Sequence, residues 1–342
     1  MAVRYALTAT GTSGPRTRCG ARRGSLVYGR GKDDRALVSW ACNDRRVRFG
    51  LHALGIASGA NPEVILAVAE AAESSGFATL WAGEHVVMID GADSPYPYSP
   101  DGRIAVPATA DWLDPWATLT FAASVTSRIQ LATGLLLLPE HNPLVVAKQA
   151  ASLDVLSKGR FLLGVGIGWS AGEFAALGVP FARRARRTRE YVEALRVLWR
   201  EDPCSYMGEF VAFSSVRSFP KPVQRRIPVV LGGNSDRALA RVAQYGDGWY
   251  GFNVPVHGLP SMLGSLVSAC RGAGRDAKGL EIAVSLCDGH PGQVEDLAAM
   301  GVTQLVLVAS PPSDPQAARP WAAELAEHWS VEVDASTNSN AS

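Results

Sequence analysis

Residues 142–169 read NPLVVAKQAASLDVLSKGRFLLGVGIGW. Apolar residues recur at helical spacing through 143–156, a short turn follows, and a buried strand reads over 160–167. That strand ends among Gly166, Gly168 and Trp169. Glycines leave the backbone open to close approach, so a flat ligand can lie against such a strand end.

Outward from this segment the pattern repeats. Further apolar runs lie at 47–54, 79–82, 129–138, 228–231, 248–252, 281–286 and 304–309, making eight with 161–167. Helical periodicity occupies 62–75, 115–126, 143–156, 187–199, 236–244 and 292–300. Alternating strand and helix implies parallel pairing with right-handed crossovers. Eight such units close into a (β/α)8 TIM barrel, an α/β fold, more naturally than they spread into an open doubly wound sheet. Against the open sheet, the segment FGLHALGIASG (49–59) has its glycines at the wrong spacing for a dinucleotide turn. Two long connections interrupt the repeat: 87–113 after the second strand and 204–227 before the fifth. Loops of this length serve as lids, pocket walls or interface elements. The first carries four prolines between Pro95 and Pro107 and belongs at the C-terminal mouth of the barrel.

The chain has 342 residues, 47% of them hydrophobic and 19% charged, which suits one soluble domain with a large core. Its net charge of +1 is unevenly spread. Residues 1–46 hold ten Lys/Arg against three Asp/Glu; the rest holds 23 against 29. A mildly acidic body gives no reason to expect nucleic acid as a partner. No apolar run approaches the roughly 18–20 residues of a membrane span. The cysteines (19, 42, 204, 270 and 287) are scattered, with no C-x-x-C and no zinc spacing, which fits a reducing cytoplasm and no metal site. Arg22-Arg23 is not followed by the apolar segment of an export signal. The expected organisation is a disordered extension over 1–46, a single barrel domain over 47–333 and a disordered tail over 334–342.

Barrel chemistry comes from the C-terminal strand ends. Glu84-His85 closes the second strand, and an imidazole beside a carboxylate can exchange a proton near neutral pH. Adjacent residues on an extended segment point oppositely, so one of the two faces the mouth and the other makes a structural contact. Equally, the pair can serve only to satisfy backbone groups at the strand end. Gly232-Gly233-Asn234-Ser235 precedes the helix over 236–244, where free N–H groups favour an anion, although this is also how a plain strand–turn–helix connection reads. Arg183, Arg184, Arg186, Arg187 and Arg189 enter a helix and either steer a polyanion or form a solvated face paired with Glu190 and Glu193. Trp169 walls a ring-shaped ligand or packs the barrel end.

Several motifs add a resemblance. FGLH (49–52), GFATLWAGEHV (76–86), DPWATLTFAA (114–123) and ATGLLLLPEHNP (132–143) precede the long stretch quoted first; RTREYVEALRVLW (187–199) and PVVLGGNS (228–235) follow it. From about 47 to 309 this order resembles the luciferase-like monooxygenase superfamily, in particular its branch that uses the deazaflavin coenzyme F420 rather than FMN. The resemblance implies a barrel holding an isoalloxazine-like ring at its C-terminal mouth. It puts Glu84-His85 beside the ring, where many deazaflavin members have Asp-His, with His85 as the proton partner and Glu84 tuning it. It implies a non-proline cis peptide within 133–137 behind the ring, so that Thr133 and Gly134 bind cofactor. The phosphate tail would lie against Gly168-Trp169 and Gly232, Gly233, Asn234 and Ser235. The implied reaction is hydride transfer between F420 and a small organic substrate. The alternatives are an FMN-dependent monooxygenase using dioxygen, and a non-catalytic cofactor-binding barrel plugged by 87–113. A homodimer is possible, and Leu119, Phe121 and Val125 form either its interface or part of the core.

Overall fold

The computed structural model describes residues 46–91 and 94–331. The expected C-terminal tail, and all of the expected N-terminal extension but Arg46, lie outside the described residues. In chain order the strands are β1 (Arg48–Leu54), β2 (Thr79–Ala82), β3 (Gln130–Thr133), β4 (Leu136–Leu137), β5 (Phe161–Gly166), β6 (Cys204–Met207), β7 (Ala212–Val216), β8 (Val229–Gly232), β9 (Gly248–Val254), β10 (Glu281–Leu286) and β11 (Gln304–Val308). The helices are α1 (Pro62–Ser74), α2 (Pro115–Ala123), α3 (Pro143–Leu156), α4 (Ala171–Ala176), α5 (Arg184–Arg200), α6 (Asp236–Tyr245), α7 (Leu259–Gly272), α8 (Val294–Ala299) and α9 (Ala318–Trp329).

The eight apolar runs are all strands, and all pair in parallel. The ring runs β1-β2-β3-β5-β8-β9-β10-β11, and β11 returns to β1 with Gln304 opposite Arg48. This is the expected closed barrel. The run over 129–138 is divided into β3 and β4 by a cis peptide at Gly134-Leu135, inside the expected window. The connection before the fifth barrel strand is not a featureless loop: β6 and β7 form an antiparallel hairpin. Glu190 of α5 holds that hairpin by accepting from the backbone N–H groups of Glu209, Phe210 and Val211.

Two apolar layers fill the molecule. Outside the barrel, strand residues such as Leu51, Leu80 and Leu163 pack against helix residues such as Val68, Leu119 and Val146. Inside it, Trp81, Leu162, Val230, Tyr250, Ala283 and Val306 form a plug. Trp81 stacks on Tyr250 with ring centroids 4.7 Å apart. Its indole N–H donates to Gln304 Oε1 at 2.8 Å, and the Gln304 amide donates to Thr79 Oγ1 at 2.9 Å. The one polar group of the buried indole is thereby satisfied. Gly50 makes room for it, since a Cβ there would stand 2.9 Å from Trp81 Nε1.

Local signals set the helix starts. Asn61-Pro62, Asp114-Pro115 and Asn142-Pro143 each place a capping side chain before a proline at the first helical position. At the opposite end of the barrel from the mouth, the Arg160 guanidinium donates to the carbonyls of Ala123, Thr126 and Ile129 and to Thr126 Oγ1. Arg160 thus ties the end of α2 and the start of β3 to the start of β5. Three helices, α4, α7 and α9, fall outside the expected helical stretches. The buried stripe of α9 is Ala318, Ala322 and Ala326, side chains too small to mark a face, α4 spans only six residues, and α7 buries Leu259, Leu263, Leu266 and Cys270 at helical spacing.

Candidate active site

At the C-terminal ends of the strands, aromatic rings form a collar. Trp112 meets His85 edge-on at 4.9 Å, His85 meets Trp169 at 5.8 Å, and Trp169 meets Tyr96 at 5.3 Å. Tyr96 continues to Tyr98 at 5.4 Å, and Tyr98 to Phe252 at 5.6 Å. Tyr96, Tyr98 and Trp112 come from the proline-containing connection after β2, which therefore does lie at the mouth. Hydrogen bonds fix that segment. Asn253 donates to Tyr98 O at 2.7 Å, Trp112 Nε1 donates to Gly83 O at 3.2 Å, and Ala171 N donates to Ser94 Oγ at 3.1 Å.

The floor inside the collar is bare backbone and one imidazole. A Cβ on Gly134 would stand 3.3 Å from His52 Cε1, and one on Gly83 would stand 3.2 Å from His52 Nε2 and 3.3 Å from Gly134 O. The cis peptide thus lies beside His52, at the ends of β2 and β3. Burial pushes the His52 pKa down to about 4, so the ring is neutral, and its Nδ1 lies 3.2 Å from the Tyr250 hydroxyl.

Glu84 and His85 point in opposite directions, as an extended strand end requires. Glu84 is the structural member: it accepts from Leu137 N at 2.5 Å and contacts His141 Nε2 at 3.0 Å, bracing the bulge that contains the cis peptide. His85 is the member in the collar. Its carboxylate partner is not Glu84, as the resemblance implied, but Glu173 of α4. Glu173 Oε2 lies 2.8 Å from His85 Nδ1, and its Oε1 accepts from Val86 N and Val87 N. A carboxylate on Nδ1 holds the proton there and leaves Nε2 as the exchangeable nitrogen. The sequence held a trace of Glu173 in Ser170-Ala-Gly-Glu173, a helix-start pattern. Ser170 does cap α4 by accepting from Glu173 N, while the Glu173 side chain crosses to His85.

The expected cofactor residues fall into two groups. Thr133 is fully buried with its hydroxyl donated to Gly164 O, and Leu135 fills the space that a Gly232 side chain would need. Asn234 is occupied in bonds to Phe252 N and O, and Ser235 caps α6. These four hold the site together. Gly134, Gly168, Trp169 and Gly233 border the mouth itself, Gly168 and Gly233 with φ of +76° and +113°.

Two arginines complete the rim on that side. Arg184 donates through Nε to Gly168 O at 2.9 Å and lies over Phe181. Arg241 of α6 lies within electrostatic reach of Tyr98 and of Arg184. Burial, then the charge of Arg241, lowers the Arg184 pKa. Neither guanidinium has a carboxylate partner among the described residues. Of the other expected basic residues, Arg183 and Arg186 pair with Glu209 rather than Glu190, Arg189 pairs with Glu193, and Arg187 is buried against carbonyls. The solvated-face reading therefore holds for Arg183, Arg186 and Arg189, while Arg187 is buried and Arg184 stands at the rim.

A luciferase-like monooxygenase profile matches residues 47–288. The chain belongs to this family. An uncharacterized protein of Mycobacterium tuberculosis is 42% identical over 184 residues, 54% of this chain and 65% of that relative. Pyrimidine monooxygenase RutA of Allorhizobium ampelinum is 32% identical over 185 residues, 52% of this chain and 50% of its own. The matched part thus spans under two thirds of these relatives. Among solved structures, an F420-dependent secondary alcohol dehydrogenase with an F420-acetone adduct superposes with a TM-score of 0.67 at 18% identity, covering 84% of this chain and all of that one. Monooxygenase RslO1 of Streptomyces bottropensis gives 0.65 at 21% identity, covering 82% and 98%. Both support the fold.

Proposed function

We propose that this protein is an F420-dependent oxidoreductase that passes a hydride between the deazaflavin and a small organic substrate, with His85 as the proton partner. The observation that carries the reading is His85, fixed through Nδ1 by Glu173, inside an aromatic collar beside bare backbone at Gly83 and Gly134. The residues fit a flavin-type group. Flat backbone at the bulge suits a planar ring, and the glycine turns at Gly168 and Gly233 sit near two guanidiniums without carboxylates, a pairing that suits a phosphate. Arg184 and Arg241 would hold that phosphate. The bound cofactor would supply the two-electron chemistry.

The chain's own groups do the rest. The collar excludes water and strengthens every polar contact within it. His85 Nε2 gives a proton to a substrate oxygen during reduction, or takes one from a hydroxyl during oxidation. Neutral His52 adds no charge to the floor. The second reading, an FMN-dependent monooxygenase using dioxygen, is favoured by named relatives such as an FMNH(2)-dependent dimethylsulfone monooxygenase of Pseudomonas putida, 35% identical over 130 residues. Substrate-dependent oxygen consumption with reduced FMN tests it. Anaerobic turnover with F420 and none with FMN supports the first reading; the opposite result overturns it.

A further inference from the structure

His52 is part of the floor of the mouth, and the proton chemistry assigned to His85 leaves it unused. Side chains alternate along β1, so Leu51 packs outward against the helices while Gly50 and His52 face the barrel interior. There the imidazole stands beside Tyr250 and Phe252, with ring centroids 6.5 and 6.2 Å away. Its Nδ1 lies 3.2 Å from the Tyr250 hydroxyl. Tyr250 is 1% exposed, and burial keeps its phenol protonated. Among the described residues, His52 Nδ1 is the one group within hydrogen-bond reach of that hydroxyl. The phenolic proton either goes to Nδ1 or is buried without an acceptor, and the second arrangement forfeits a hydrogen bond in a dry site. Tyr250 therefore donates and Nδ1 accepts. Burial pushes the His52 pKa down to about 4, so the ring carries a single N–H near neutral pH. With Nδ1 accepting, that proton is on Nε2.

Nε2 itself has no hydrogen-bond partner among the described residues. It is not sealed in either: the enclosed side-chain atoms without partners include both oxygens of Glu140, just after β4, but not this nitrogen. It borders the space over Gly83. A Cβ built there would stand 3.2 Å from Nε2, 3.3 Å from Gly134 O and 3.5 Å from Trp112 Cζ2. An uncharged N–H beside bare backbone suits an uncharged acceptor on the edge of a flat molecule.

We propose that His52 is a ligand-binding residue: Tyr250 fixes its ring as the Nε2–H tautomer, and that N–H donates to an oxygen or nitrogen acceptor on the edge of a planar ring lying on Gly83 and Gly134. Tyr250 is then a positioning residue, acting through His52 without touching the ligand. A ring turned to the other tautomer would present a lone pair to the ligand's acceptor and repel it. The inference rests on the reading of the mouth as a site for a flavin-type ring, but the tautomer is measured with nothing bound.

The test is nitrogen NMR of the full chain carrying 15N-labelled histidine, with the His52 signals assigned by their loss in His52→Gln. At neutral pH, Nδ1 should resonate as an unprotonated nitrogen and Nε2 as a protonated one. A proton on Nδ1, or on both nitrogens, would overturn the proposal. A tail-less deazaflavin, bearing no phosphate, is then added, and its binding is followed by its own fluorescence. The Nε2–H proton should move downfield as the ring binds. Binding that leaves this signal in place would overturn the donor role alone. No binding at all would overturn the flavin-type reading and the donor role with it, while the tautomer result stands by itself. Tyr250→Phe separates positioning from mere packing. It should let part of the His52 population shift its proton to Nδ1, and affinity for the tail-less ring should fall in proportion to the fraction that leaves the Nε2–H form. An unchanged tautomer in Tyr250→Phe would overturn the role given to Tyr250.

Discussion

At the residue scale the account turns on which carboxylate serves which histidine. His85→Ala should lower turnover by about a hundredfold to ten-thousandfold while cofactor affinity persists, as expected for a lost acid–base group. Steady-state kinetics beside equilibrium binding reads both. Glu173→Gln should lower turnover by the same route. Glu84→Gln should act mainly on folding, costing about 1.5–3 kcal/mol for the charge-assisted bonds that brace the bulge. Two buried groups give opposite pH signatures. The His52 pKa is depressed to about 4 from 6.5, so its contribution to stability is complete above about 6.5 and is lost as the pH falls towards 4. His52→Asn should flatten that acid limb in denaturation curves taken across the window. The Glu140 pKa is raised from 4.5 to about 9, so the native state binds its proton more tightly than the unfolded chain does. Its contribution is complete below about 4.5 and is lost as the pH rises towards 9. Glu140→Gln should therefore gain thermal stability over the unaltered protein, by a margin that grows with pH through this window.

At the element scale the barrel was legible because its signals are periodic and local. All eight apolar runs became strands, and the Asn-Pro and Asp-Pro pairs mark helix starts that the structure reproduces. Three helices were not expected: α9 has a buried face of alanines, where periodicity carries little contrast, α4 is only six residues long, and α7 buries Leu259, Leu263, Leu266 and Cys270 at helical spacing, a periodicity that was present in the sequence and not used. The missed Glu173 has a different cause: 88 residues of chain separate it from His85, and no local pattern reports a contact closed by the barrel. The same holds for Arg241, which becomes notable only once α6 brings it to the rim. For Glu84 the pleat was read correctly while its partner was not, because strand geometry fixes direction and only the folded bulge supplies Leu137 and His141. Arg160 is the element-scale test. Removing its guanidinium by Arg160→Ala strands carbonyls of α2 and of the start of β3, and urea denaturation should show a loss of about 3 kcal/mol. An unchanged midpoint would contradict the clamp.

At the scale of the whole molecule, the loop after β2 folds its aromatic side chains over one end of a closed barrel, and two arginines without carboxylate partners stand at its rim. A phosphate-bearing planar cofactor accounts for both features at once. Arg184→Ala and Arg241→Ala should each weaken cofactor binding about tenfold or more, with a steeper loss for a charge-bearing tail than for the ring alone. The comparison of intact cofactor with a dephosphorylated analogue measures this. The most direct measurement of the central claim is titration of the purified protein with F420 and, separately, with FMN, followed by fluorescence quenching. The account predicts tight, saturable binding of F420 that Arg184→Ala weakens, and little binding of FMN. Preference for FMN would move the chemistry to dioxygen, and binding of neither would contradict the cofactor site itself.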